Sequence, residues 1–247
     1  MNLSSVFFGA VALVSTMAGG LVAIRFRKNS GALNAFAAGV LIAVSLFDLL
    51  PEALHLAQAN SMAFRHVMIA AACGFIFLLI LERYISIHHI CEPDGTCRNV
   101  RHQKGGVYGA LEISAHSFID GLAIGIGFQA GAAVGIVVAL AIIAHVFSDG
   151  INTVTVMLRC GNSLRASLKM LFLNAAAPLL GAASTLLFTI PTRTLVYILP
   201  FFAGGFLYLG ASDLLPEAHE RNAPLPMILF TLAGFLFIFC LTRFLRV

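Results

Sequence analysis

Two short stretches of the chain share the pattern His-x-Phe-x-Asp-Gly: HSFIDG at 116–121 and HVFSDG at 145–150. In each, His and Asp stand four residues apart, about one turn of an α-helix, so both side chains leave from the same face. Brought together, His116, Asp120, His145 and Asp149 would offer two imidazole nitrogens and two carboxylates to one point. That donor set suits Zn²⁺ and is tolerable for other first-row divalent cations. The charge agrees as well, because two ionised aspartates offset one dication.

These four residues lie in an exceptionally apolar chain. Of its 247 residues 60% are hydrophobic and 11% charged, with a mean hydropathy of +0.95. A water-facing domain carries roughly 25% charged residues, so the sequence is that of an all-α integral membrane protein. A helix needs about 20 apolar residues to cross a bilayer. Eight segments qualify: 4–24, 32–56, 67–87, 107–128, 132–157, 168–190, 195–218 and 226–245. No run alternates as a half-buried strand would. Both His-Asp pairs fall near the middle of spans 4 and 5, hence near the bilayer midplane. An intramembrane carboxylate costs at least about 2.5 kcal/mol on insertion scales. Two matched pairs repeat that cost, which favours metal ligation over a simple polar contact between helices.

Orientation follows from Lys and Arg, which accumulate on the cytoplasmic side. With the N-terminus outside, the inner face receives Arg25, Arg27, Lys28, Arg83, Arg98, Arg101, Lys104, Arg159, Arg165, Lys169 and Arg221. The outer face receives only Arg65, Arg193, Arg243 and Arg246. Both termini are therefore expected outside. The positive charge follows the first apolar run rather than preceding it, so that run reads as a retained span and not a signal peptide.

The hexapeptide DLLPEA occurs twice, at Asp48–Ala53 ending span 2 and at Asp213–Ala218 ending span 7. Those spans run in opposite directions, so the copies mark opposite faces of the membrane. The pattern is that of an inverted repeat, frequent in secondary transporters. The expected organisation is one transmembrane domain over 1–247: a repeat half at 1–87, a cytosolic loop at 88–106, a central hairpin at 107–157 and a second half at 168–247. Gly121, Gly125, Gly131 and Gly135 read as helix-packing positions. The five cysteines are scattered and imply no disulfide framework.

HSFIDGLAIGIGF resembles the fourth span of the Zrt/Irt-like (ZIP) family of divalent metal transporters, and the 3+2+3 layout resembles that family along the whole chain. The resemblance implies zinc import toward the cytosol, with His116, Asp120, His145 and Asp149 as the matching ligands. Where many members carry Asn, an acidic residue and Glu to build an adjoining second site, this chain has Ser117, Val146 and Ala177. One metal is therefore expected rather than two. Ser117 and Asn174 could complete its coordination shell, though bonding to the backbone is the expected role.

An ion needs polar stepping stones to reach the midplane. Asp48, Glu52 and His55 could line an outer vestibule, and Asp213, Glu217 and His219 an inner one. Pro51 and Pro216 would free carbonyls there. Glu112, one turn before His116, continues the ligand stripe. The loop residues His88, His89, Cys91, Cys97 and His102 could hold released metal. No nucleotide-binding loop is present, so the expected mechanism is alternating access by a secondary transporter, not an enzyme or ATP-driven pump. The expected partners are Zn²⁺, with Cd²⁺, Fe²⁺, Mn²⁺ or Co²⁺ as other cargo, and the lipid bilayer. A homodimer is left open, and no cofactor and no nucleic acid is expected. The expected location is a cell membrane, with a prokaryotic inner membrane indicated by the short loops. An intramembrane zinc-dependent hydrolase and a metal-sensing membrane receptor stand as alternatives.

Overall fold

The computed structural model describes residues 3–26, 31–86, 100–219 and 223–245, and all regular structure among them is helical. Eight helices are long and apolar enough to cross a membrane. They are α1 (Leu3–Phe26), α2 (Gly31–Ala59), α3 (Phe64–Ser86), α4 (Val100–Ala130), α5 (Ala132–Arg159), α6 (Leu164–Leu187), α7 (Thr192–His219) and α8 (Pro224–Leu245). Each contains one of the expected apolar segments or most of it. The largest difference is α4, which begins at Val100 where apolarity alone places its start at 107. Hydropathy registers only the part immersed in hydrocarbon, whereas hydrogen bonding continues through the polar turn at Arg101–Lys104. The expected loop 88–106 is therefore helical from Val100 onward. Its residues His88, His89, Cys91 and Cys97 lie outside the described residues, as does the His102 side chain.

The helices form two groups. In one, α1 runs along α5, α6 runs along α4, and α4 and α5 pack together. In the other, α8 runs along α2, α3 runs along α7, and α2 and α7 pack against each other. Paired glycines set the closest crossings. A Cβ on Gly150 would strike the Thr16 carbonyl, and one on Gly19 the Phe147 carbonyl, across α1 and α5. Gly121 and Gly181 stand in the same relation across α4 and α6, as do Gly39 and Gly234 across α2 and α8, and Gly74 and Gly204 across α3 and α7. In lipid, where apolar surface alone drives little helix association, such close approach supplies the packing energy. Of the glycines expected to serve this purpose, Gly131 meets only its own Val134, so it belongs to the α4–α5 turn.

Both DLLPEA hexapeptides adopt the same backbone. Ser45–Leu49 and Leu209–Leu214 are π-helical turns, each ending two residues before a proline. Leu50 N–H donates to the Ser45 carbonyl and Leu215 N–H to the Gly210 carbonyl, five residues back in each case. Pro51 and Pro216 have no N–H to return to the preceding turn, and the wide turn accommodates the interruption.

Candidate metal centre

The antiparallel helices α4 and α5 each present their His-Asp pair to the other. Asp120 is the hub: its Oδ2 lies 3.1 Å from His145 Nε2 and 3.5 Å from His116 Nε2. The two imidazole rings stand 6.1 Å apart. His116, Asp120 and His145 each offer a ligand atom within 4.8 Å of the others, the one such group of three among the described residues. Asp149 stands on the same side but farther out, its Oδ2 3.9 Å from His145 Nε2. Asp120 and His145 are fully buried, and Asp149 is nearly so.

The hydrogen bonding at this centre is incomplete. His145 Nδ1 faces the Ala141 carbonyl at 3.2 Å, which fixes the ring and turns Nε2 toward Asp120. His116 Nε2, Asp120 Oδ1 and Asp149 Oδ2 are buried without a hydrogen-bond partner. An unsatisfied buried polar atom costs about 1–3 kcal/mol, and more when charged. Three of them converging from matched motifs is the arrangement a cation would satisfy. On the far side, Phe206 of α7 sets its ring edge against His145, with centroids 6.4 Å apart.

Ser117 and Asn174 bond to side chains and not to backbone. Ser117 Oγ donates to Asn174 Oδ1 at 2.7 Å, and Asn174 Nδ2 donates to Thr153 Oγ1 at 2.8 Å. Thr153 in turn donates to the Asp149 carbonyl at 2.8 Å. This fully buried chain of bonds links α4, α5 and α6 directly behind the centre.

None of the expected vestibule residues belongs to the three-residue ligand group. Asp48 is buried within the α2 π turn, Glu52 is half-buried and His55 is exposed. Glu112 is half-buried one turn before His116, and Asp213 is half-buried in the α7 π turn. Glu217 accepts a 2.8 Å hydrogen bond from Asn34 Nδ2 of α2, and His219 Nδ1 contacts the Leu215 carbonyl at 2.8 Å. Asn34, Thr153 and Phe206 escaped the sequence reading. Asn34 and Thr153 were open to suspicion as polar residues in apolar spans, whereas Phe206 is one of 21 phenylalanines and carries no such mark.

A family model described as "ZIP Zinc transporter" matches residues 109–242. Zinc transporter SLC39A7 of Homo sapiens is 30% identical over 153 residues, covering 55% of this chain and 33% of that protein. Zinc transporter ZIP13 of Mus musculus is 30% identical over 152 residues, covering 59% of this chain and 42% of that protein. Zinc transporter zipt-7.2 of Caenorhabditis elegans is 32% identical over 114 residues, covering 44% and 24%. The match spans about a third of the length of such relatives.

Proposed function

The chain belongs to the ZIP zinc transporter family, and from that premise we propose that it moves divalent cations, zinc foremost, across the membrane toward the cytosol through the centre between α4 and α5. The observation that carries this reading is the set of three buried ligand atoms without a hydrogen bond, on His116, Asp120 and Asp149, beside His145 Nε2. Nitrogen and carboxylate donors suit zinc, which takes such ligands at about 2.0–2.2 Å. His116, Asp120 and His145 need to close by little more than a rotamer adjustment. Asp149 would swing in to complete a tetrahedron.

A proton has a part in this exchange. His145 Nε2 faces Asp120 Oδ2 at 3.1 Å, a distance at which the two atoms can share a proton when no metal is bound. A dication arriving at the same atoms displaces it.

The chemistry supports one ion rather than two. Ser117 Oγ donates to Asn174 Oδ1 and Asn174 Nδ2 donates to Thr153 Oγ1, so these neutral side chains are engaged with one another beside the first donor set. Transport requires the centre to face each side in turn. The like-for-like pairings of α1 with α5 and α6 with α4, and of α8 with α2 and α3 with α7, support reading the two halves as inverted copies. Under that reading alternating access arises by exchange between equivalent conformations.

Zinc uptake into proteoliposomes tests the proposal, with wild type compared against His116→Ala and His145→Ala. Both variants are expected to lose most of the flux while keeping the elution profile of the folded protein. Wild-type flux in both would refute the assignment.

A further inference from the structure

At the end of the bundle that the Lys and Arg distribution places outside, a cavity of about 750 Å³ opens between the α2–α3 turn and the start of α7. Its lining includes Ser61, Arg65, His66, Arg193, Thr194 and Tyr197. Arg65 and Arg193 come from different helices, and neither forms an ion pair with a carboxylate among the described residues. Two guanidinium groups in one cavity without an acid make it unsuited to a dication and suited to an anion. The His66 ring is held by its Nδ1 contact of 3.0 Å with the Ala63 carbonyl and by an edge-on contact with Tyr197, centroids 6.0 Å apart. The His66 ring thus joins α3 to α7 beside the two exposed arginines.

The surroundings indicate which anion. Arg65, Met68, Ile69, Ala72 and Ile76 recur at helical spacing on one face of α3. Below the arginine that face is apolar and exposed: Met68 by 42%, Ile69 by 59% and Ile76 by 52%. A cationic head above an apolar stripe, at the end of a membrane-spanning helix, matches a phosphate with acyl chains beneath it. Guanidinium groups recognise phosphate oxygens in a bidentate fashion.

We propose that the Arg65–Arg193 cavity binds a phosphate group, supplied by the headgroup of an anionic phospholipid whose acyl chain lies along the exposed face of α3. The site lies wholly between α3, α7 and the α2–α3 turn, apart from the metal centre. Its occupation would add a bridge between two helices that already meet at His66 and Tyr197 and, deeper down, at Gly74 and Gly204.

Native mass spectrometry of the full chain in detergent, titrated with phosphatidylglycerol, tests the proposal, with inorganic phosphate as competitor. One lipid is expected to remain bound to wild type, and the double variant R65Q/R193Q to hold it about tenfold or more weakly, as loss of two basic contacts near a membrane surface implies. Zinc titration of the same variant is expected to match wild type, showing the fold intact. Lipid binding equal in variant and wild type overturns the site. Displacement of the lipid by an equimolar amount of inorganic phosphate overturns the lipid source.

Discussion

Replacing Asp120 by Asn tests the centre most sharply, because this carboxylate is shared by both imidazoles. Its Oδ2 lies 3.1 Å from His145 Nε2 and 3.5 Å from His116 Nε2, so one substitution removes the negative charge facing both. Removing one partner of a buried charged pair costs about 3–5 kcal/mol. At about 1.4 kcal/mol per tenfold, zinc affinity should fall by roughly two to three and a half orders of magnitude. The amide keeps an oxygen and can donate to a neutral His145 Nε2, so the protein itself should remain folded. Asp149 stands 3.9 Å from the same nitrogen and outside the tight three-residue group, so Asp149→Asn should cost less. We expect about ten- to thirtyfold there, in line with one weaker charged contact of about 1.5–2 kcal/mol. Isothermal titration of zinc into detergent-purified protein reads the affinities, and proteoliposome uptake reads the flux. Zinc binding by Asp120→Asn within threefold of wild type would refute the reasoning, as would Asp149→Asn proving the more damaging.

The crossings, the buried polar network and the turns give further tests. Gly150→Val places a side chain against the Thr16 carbonyl; overpacking of about 1–3 kcal/mol should lower the thermal midpoint in detergent. Gly105→Ala is the control, since nothing lies within 4 Å of the added carbon and helix propensity predicts a gain of about 0.5–1 kcal/mol. An unchanged midpoint for Gly150→Val would contradict the close crossing. Asn174→Leu strands the Ser117 hydroxyl and removes the donor to Thr153 Oγ1, so about 1–3 kcal/mol of stability should be lost, with zinc affinity reduced less than in Asp120→Asn; a larger affinity loss would make Asn174 a ligand. Ser61 and Gly161 hold the same left-handed position in two equivalent turns, at φ 54° and 76°. There Ser61→Gly should stabilise slightly, while Gly161→Val should destabilise by about 1–2 kcal/mol, and equal midpoints for the two variants would sink that reading.

The sequence made the centre legible because its signal is local. A four-residue spacing fixes the face from which His116 and Asp120 leave, and the same holds for His145 and Asp149. What spacing leaves open is depth along the partner helix, so it could not show that Asp120 becomes the hub while Asp149 stays back. The polar network was legible only in its parts. Ser117 and Asn174 are visible as polar residues near the motifs, but their bond crosses 57 residues of chain and depends on how α6 docks against α4. Asn34 is more distant still from Glu217, 183 residues away. The prolines of the two hexapeptides announced local opening of the helix. The form it takes, a π turn that begins ahead of each proline at Ser45 and at Leu209, depends on the backbone geometry upstream and not on any residue type.

How the contacts are distributed bears on which parts of the molecule can move. All of the close glycine contacts between helices join members of the same group: α1, α4, α5 and α6 on one side, α2, α3, α7 and α8 on the other. Backbone packed directly on backbone resists relative displacement, because no side chain can change rotamer to relieve it. All four candidate ligands sit on α4 and α5, and the Ser117–Asn174–Thr153 bonds tie them to α6. Motion of that group would therefore carry the ligands as a set, with their mutual distances kept. The wall formed by Phe206 belongs to the other group and touches His145 only through side chains. Side-chain contacts between packed helices are those that shear motions rearrange at small cost. Under the proposed alternating access, an ion held by ligands that move together would keep its coordination while the wall around it changes.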